Sequence, residues 1–242
     1  MLILLKKELN EFFCSITGYI VVTIFLIATG LFMWVFPGEY NLLDSGYATM
    51  ETLFTLAPWI FLFLVPAVTM RMIAAEKDSG TMELLLTRPI SDMQIVTAKY
   101  FSAIILIIIA LLPTLIYFIS IHYLGNPQGN IDAAGTIGSY IGLFFLAAIY
   151  AAIGVFSSSL TNNQIISFLL AVILSFFFYM GFEFLGSMGV FASIDTVVVD
   201  LGINAHYQSM SRGVIDTRDI VYFLSIIVLF LYITKLIIQS RK

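Results

Sequence analysis

The sequence predicts an all-α integral membrane protein: a six-transmembrane-helix bundle with an N-terminal interfacial helix and both termini cytoplasmic. Three observations lead there. First, 60% of the 242 residues are hydrophobic and 11% are charged, whereas a water-soluble domain carries about 25% charged residues. So few charges cannot cover a water-facing surface, and the apolar excess faces lipid. Second, the apolar residues fall into six runs long enough to cross a hydrocarbon core about 30 Å thick, which takes roughly 20 residues of helix. Third, Lys and Arg collect in alternate connections between those runs.

The runs are 19–36, 53–70, 100–121, 137–156, 165–182 and 220–238. They leave no room for a sizeable soluble domain, so 1–242 reads as a single transmembrane domain. Cytoplasmic loops carry the excess of Lys and Arg. With the N-terminus inside, Lys6, Lys7, Arg71, Lys77, Arg88, Lys99, Lys235, Arg241 and Lys242 fall at the inner face, and only Arg212 and Arg218 fall outside. The outer connections are acidic, with Glu39, Asp44, Glu51, Asp132 and a loop over 183–219 that carries Glu183, Asp195, Asp200, Asp216 and Asp219.

Residues 1–13 set Leu2, Leu5, Leu9 and Phe12 at helical spacing against Lys6, Lys7, Glu8, Asn10 and Glu11. That is the pattern of a helix lying in the interface plane. No A-x-A-like cleavage site follows the apolar run after Lys6 and Lys7, so the first span reads as retained.

Composition and motifs exclude several functions. A net charge of -4 argues against nucleic acid, which demands a basic face. The single cysteine, Cys14, allows no intrachain disulfide, Cys-rich zinc site or CxxCH haem site. No ionisable residue sits at mid-depth in a span, where one would mark an ion or proton path. Pro58, Pro66 and Pro113 are placed to bend spans two and three. HExxH is absent, and His122 and His206 lie in different outer loops. Without a Gly-Lys dipeptide the chain lacks the lysine of a Walker A loop. Span four carries Gly138 and Gly142, then Ala147, Ala148, Ala151, Ala152 and Gly154. Small residues four apart let helices approach closely, either within the chain or at a dimer face.

The connection over 74–94 holds the most information. Gly80-Thr81 reads as a turn into a short helix, and Pro89 ends that helix by excluding Arg88 from helical geometry. Ser91 and Gln94 form a capping box for the helix entering span three, with Ile90 and Ile95 placed as its hydrophobic staple. The apolar side, Met82, Leu85 and Leu86, buries either against the bilayer and neighbouring helices or in a groove of a soluble partner.

The run E-K-D-S-G-T-M-E-L-L-L-T-R-P-I-S over 76–91 resembles the segment after the second span of type 2 ABC transporter (ABC-2) permeases, where E-x-x-x-G-T-x-E-x-L-L-x-x-P-[IV]-[ST] is typical. The stretch 201–219, with His206, Tyr207, Arg212, Gly213 and Asp216, resembles the segment before the last span of the same permeases. Residues 56–71 and 125–132 are similar to the gliding-motility-associated permeases of that family. The resemblance implies an ATP-driven exporter subunit in the inner (plasma) membrane, with Glu76, Gly80, Thr81, Glu83, Leu84, Leu85 and Pro89 forming the coupling element that meets a separate ABC ATPase. Glu76 and Glu83 would offer carboxylates to it, and Leu84–Leu85 an apolar contact. It also implies a second permease chain, as homo- or heterodimer, and a membrane-anchored auxiliary subunit. This chain would bind no cofactor and would not itself be an enzyme. ATP and magnesium would enter through the partner. A non-transporting scaffold of an envelope complex and an ion-coupled secondary transporter are the other functions the residues allow.

Overall fold

The computed structural model describes residues 1–87, 89–188 and 195–240, and it is helical along most of them, with no β-strand among the described residues. Arg88, Arg241 and Lys242, which the charge argument uses, lie outside them, as does 189–194 within the expected outer loop.

The chain opens with α1 (Leu2–Cys14), which stops where Ser15 turns extended (φ -100°, ψ 144°). Next come α2 (Ile16–Trp34), α3 (Leu42–Ser45), α4 (Glu51–Thr69), α5 (Arg71–Asp78) and α6 (Thr81–Leu86). After these run α7 (Asp92–Leu111), α8 (Leu115–Leu124), α9 (Ala133–Leu160) and α10 (Gln164–Phe176). The chain continues through α11 (Phe182–Ser187), α12 (Asp195–Asp200), α13 (Ile203–Ser211) and α14 (Thr217–Gln239).

Five helical stretches are long and apolar enough to cross a membrane: Glu51–Asp78, Asp92–Leu124, Ala133–Leu160, Gln164–Ser187 and Thr217–Gln239. There are six when α1 and the helix after it, bent by 66°, are counted together. The 19 residues of α2 extend about 28 Å at the helical rise, close to the hydrocarbon thickness. Each apolar run read from the sequence therefore falls on a helix.

The arrangement follows from side-chain size. In α9, 78% of the most apolar window is buried, against 22% in α10–α11 and 28% in α14, so α9 is the central post. Its buried face carries Ala147, Ala148, Ala151, Ala152 and Gly154, and α4, α10, α13 and α14 all pack against it. Departures from regular α-helix fall within two of the long stretches, and two prolines lie inside a third. Pro113 lies in the 3-10 turn Leu112–Thr114 that separates α7 from α8, and Pro58 and Pro66 lie inside α4. A π-turn, Phe177–Gly181, sits between α10 and α11.

Two expectations need correction. Within the segment expected to form the outer loop, 203–211 is helical and part of the core: Ile203, Tyr207 and Met210 form a buried stripe at helical spacing that draws α13 into the bundle. Tyr207 fixes it there by donating from its hydroxyl to the Phe54 carbonyl at 2.7 Å. The polar face assigned to α1 is also wrong at Glu8, which lies with Leu4 and Phe12 on the buried side, while Leu2 and Ile3 are exposed.

Candidate functional site

The segment between spans two and three folds as a tight helical hairpin. Gly80 takes a left-handed conformation, φ +69°, which costs a residue with a Cβ roughly 1–2 kcal/mol. Its amide donates to the Lys77 carbonyl (3.2 Å), and the Ser79 and Thr81 hydroxyls meet at 2.9 Å. After α6, the Ser91 hydroxyl accepts from the Gln94 amide and the Gln94 side chain accepts from the Ser91 amide, both at 3.3 Å. The expected capping box is present. Ile90 packs against a small buried cluster made by Leu4 of α1 with Ile95 and Ala98 of α7.

Burial divides the hairpin into two faces. Met82 is buried, and Leu85 and Leu86 are half-buried against the bundle, near Leu4 and Ile95. This chain therefore supplies most of the cover for the apolar side. Thr81, Glu83, Leu84, Thr87 and Pro89 form the exposed face, with Leu84 68% exposed.

Glu76 stands apart from the other expected contact residues. Its Oε2 lies 2.8 Å from Lys99 Nζ and its Oε1 lies 3.0 Å from Lys7 Nζ, so its carboxylate points inward and not toward a partner. Lys99 is fully buried and also contacts Glu8 Oε1 at 2.9 Å and donates to the Met72 carbonyl. The cluster joins α1, α5 and α7. Burial works against the charged form of Lys7, but the hydrogen bond to Glu76 and the charges of Glu76, Glu8 and Glu11 outweigh it and raise its pKa. Sequence reading missed this cluster because its members come from three distant stretches, at positions 7–8, 76 and 99. The available signal was a lysine eight residues into a capped apolar helix.

A second attachment was also missed. The Ser158 hydroxyl accepts from the Ile73 and Ala74 amides at 3.0 and 2.9 Å and donates to the Met70 carbonyl at 2.9 Å. It supplies partners at the α4–α5 junction, where a helix start leaves amides unpaired. Lys77 donates to the Ser159 carbonyl, and Arg71 lies over the Phe12 ring, 4.4 Å from its centroid. The hairpin is thus held on three sides, by α1, α7 and the end of α9.

At the opposite end, Gly138 and Gly142 are used within the chain. A Cβ at Gly138 would sit 2.7 Å from the Gly213 carbonyl oxygen, and one at Gly142 would sit 2.6 Å from Met210 Cβ. Of the two readings, packing within the chain holds: α9 lies against α13 and against Gly213 just beyond it. Arg212 and Asp216, four apart, form no ion pair with each other. Asp216 instead caps α14 by accepting from the Arg218 amide at 2.9 Å, a bond that lowers its pKa. His206 Nδ1 lies 2.7 Å from Asp219 Oδ1, its Nε2 lies 2.9 Å from the Asp200 carbonyl oxygen, and its ring stacks on Tyr222 at 4.0 Å. These contacts tie α12 and α13 to α14. A cavity of about 490 Å³ opens between the starts of α4 and α9 and the end of α13, lined by Glu51, Phe54, Thr136, Gln208 and Arg212 among others. Among the described residues, no three His, Cys, Asp or Glu side chains gather as metal ligands.

Comparison with known proteins gives one finding. A family model described as ABC-2 family transporter protein matches residues 2–241. No curated protein matches the chain.

Proposed function

The chain belongs to the ABC-2 family of transporter proteins, and on that premise we propose that the α5–α6 hairpin is where a separate ATPase drives this permease subunit. Family membership implies partnership with an ABC ATPase. The observation that carries the hairpin's role is its division into two faces. One, through Met82, Leu85 and the Glu76–Lys99 contact, is rooted in the bundle. The other presents Thr81, Glu83, Leu84 and Pro89 to a partner.

Mechanical transmission follows from those attachments. A push on Glu83 and Leu84 passes through Glu76 and Lys99 into α7, and through Ser158 into the central helix α9. Packed helices respond by rigid-body shifts between discrete arrangements. Two such chains, alike or different, enclose the path, and ATP with magnesium is held by the ATPase. The hairpin and both termini face the cytoplasm, as the basic residues at this end support, and the host membrane is the inner membrane. The direction is export, and a role in gliding motility with an auxiliary membrane-anchored subunit rests on the similarity of 56–71 and 125–132 alone.

The test is purification of the intact complex in mild detergent. An ATPase is expected to co-purify, and Glu83→Lys combined with Leu84→Asp to weaken its retention while the chain still folds. Undiminished retention would remove the hairpin from the interface.

A further inference from the structure

We propose that Lys7 is the lipid-responsive member of the α1–α5–α7 ionic cluster: anionic phospholipid headgroups draw it away from Glu76 and loosen the α5–α6 hairpin. For its functional meaning this rests on the reading of α5–α6 as the ATPase contact.

The argument starts from charge. Two carboxylates, Glu8 and Glu76, face two ammonium groups, Lys99 and Lys7, at 2.8–3.9 Å. As a set the four are neutral. Lys99 is fully buried, and the side chains of Glu8 and Glu76 are 5% and 12% exposed, but that of Lys7 is 54% exposed. Lys7 is therefore the one member a ligand reaches without unfolding α1. Removing it takes one positive charge from the group and breaks the Lys7–Glu76 pair that ties α1 to α5, while Glu8 and Glu76 keep Lys99, with Arg71 lining the same small pocket.

The surroundings name the ligand. On the preceding turn, Leu2 and Ile3 are 79% and 89% exposed, and Lys6 is exposed with no hydrogen-bond or ion-pair partner among the described residues. Large exposed apolar residues beside two cations, on a helix bent 66° from the next, suit a membrane surface rather than a soluble anion. A lipid phosphate offers Lys7 the same hydrogen bonds and opposite charge as Glu76 does.

The purified chain is reconstituted in nanodiscs of phosphatidylcholine alone or of phosphatidylcholine mixed with phosphatidylglycerol, and amide exchange is followed over residues 71–86. Exchange there is expected to rise several-fold with phosphatidylglycerol, while the core of α9 stays unchanged. Lys7→Gln, a surface change that leaves the fold intact, is expected to give the faster rate in both compositions. Inorganic phosphate added to phosphatidylcholine discs is expected to leave the slow rate in place. Equal wild-type exchange in both lipids, a Lys7→Gln variant that still responds, or an equal effect of inorganic phosphate would each overturn the proposal. The experiment contains no ATPase, so its failure leaves the docking of an ATPase on α6 to be judged on co-purification.

Discussion

Lys99→Met keeps the approximate length of the side chain and deletes its charge at a site with no access to water. The two contacts, 2.9 Å to Glu8 and 2.8 Å to Glu76, each amount to about 6 kcal/mol of Coulomb attraction at an effective dielectric near 20. Most of that attraction offsets the desolvation of the buried charges, so the net worth of the cluster is small. The variant loses the attraction and keeps the desolvation of two carboxylates, with the exposed Lys7 still beside them. The expected cost is about 3–5 kcal/mol, the range for removing one partner of a buried pair, or roughly 6–20 °C in melting temperature for a chain of this size. The triple variant Lys99→Met, Glu8→Gln, Glu76→Gln removes attraction and desolvation together. It is expected to melt above the single variant despite carrying two more changes. The assay is thermal unfolding in one detergent, followed by near-UV circular dichroism, with the single substitutions completing the cycle. A Lys99→Met protein that melts with the wild type, or single costs that add in the triple, would refute the cluster as a coupled unit.

Three further outcomes follow from local geometry. Gly80→Val places a β-branched residue at φ +69° with open space around its Cβ, so the penalty is purely backbone strain; faster amide exchange in α6 is expected, and less of it for Gly80→Asn, which tolerates that conformation better. Gly142→Leu drives its side chain into Met210, whose Cβ lies 2.6 Å from the added Cβ; a cost of about 1–3 kcal/mol from overpacking is expected in melting experiments, with amide exchange in α5–α6 unchanged. Asp216→Ala frays the first turn of α14, whereas Asp216→Asn keeps the cap, read as amide exchange over 217–220. Because the folded pKa of Asp216 is lowered from 3.8, its carboxylate contribution is fully present above that value and is lost only as pH falls through the lower folded pKa.

What the sequence revealed and what it hid have separate physical causes. Lipid exposure demands long apolar runs, so composition located the stretches that fold as the long apolar helices. The capping box at Ser91–Gln94 and the turn at Gly80 depend on neighbouring residues and were equally legible. Residues 203–210 carried a buried stripe at spacings of four and three, but their polar neighbours, Asn204, His206 and Gln208, made the segment read as a loop. The inward turn of Glu76 had no local signal, because it depends on Lys99, 23 positions on, and Lys7, 69 positions back. Ser158 was equally hidden: serines at the end of an apolar helix are ordinary, and only the fold brings this one under the amides of Ile73 and Ala74. The face division of α6 was half legible. The need to bury Met82, Leu85 and Leu86 was evident, but not that α1 supplies much of the cover.

The central claim is that the exposed face of α6 meets a nucleotide-driven partner, and the most direct test is a photoreactive residue at position 84 in cells. Leu84 stands free of the bundle, so its cross-links report what lies beyond the chain. The expected product is an adduct with a soluble ATP-binding polypeptide, formed on the cytoplasmic side and lost with Glu83→Lys. Adducts only with lipid, or only with proteins outside the cell, would contradict both the orientation and the proposed source of energy.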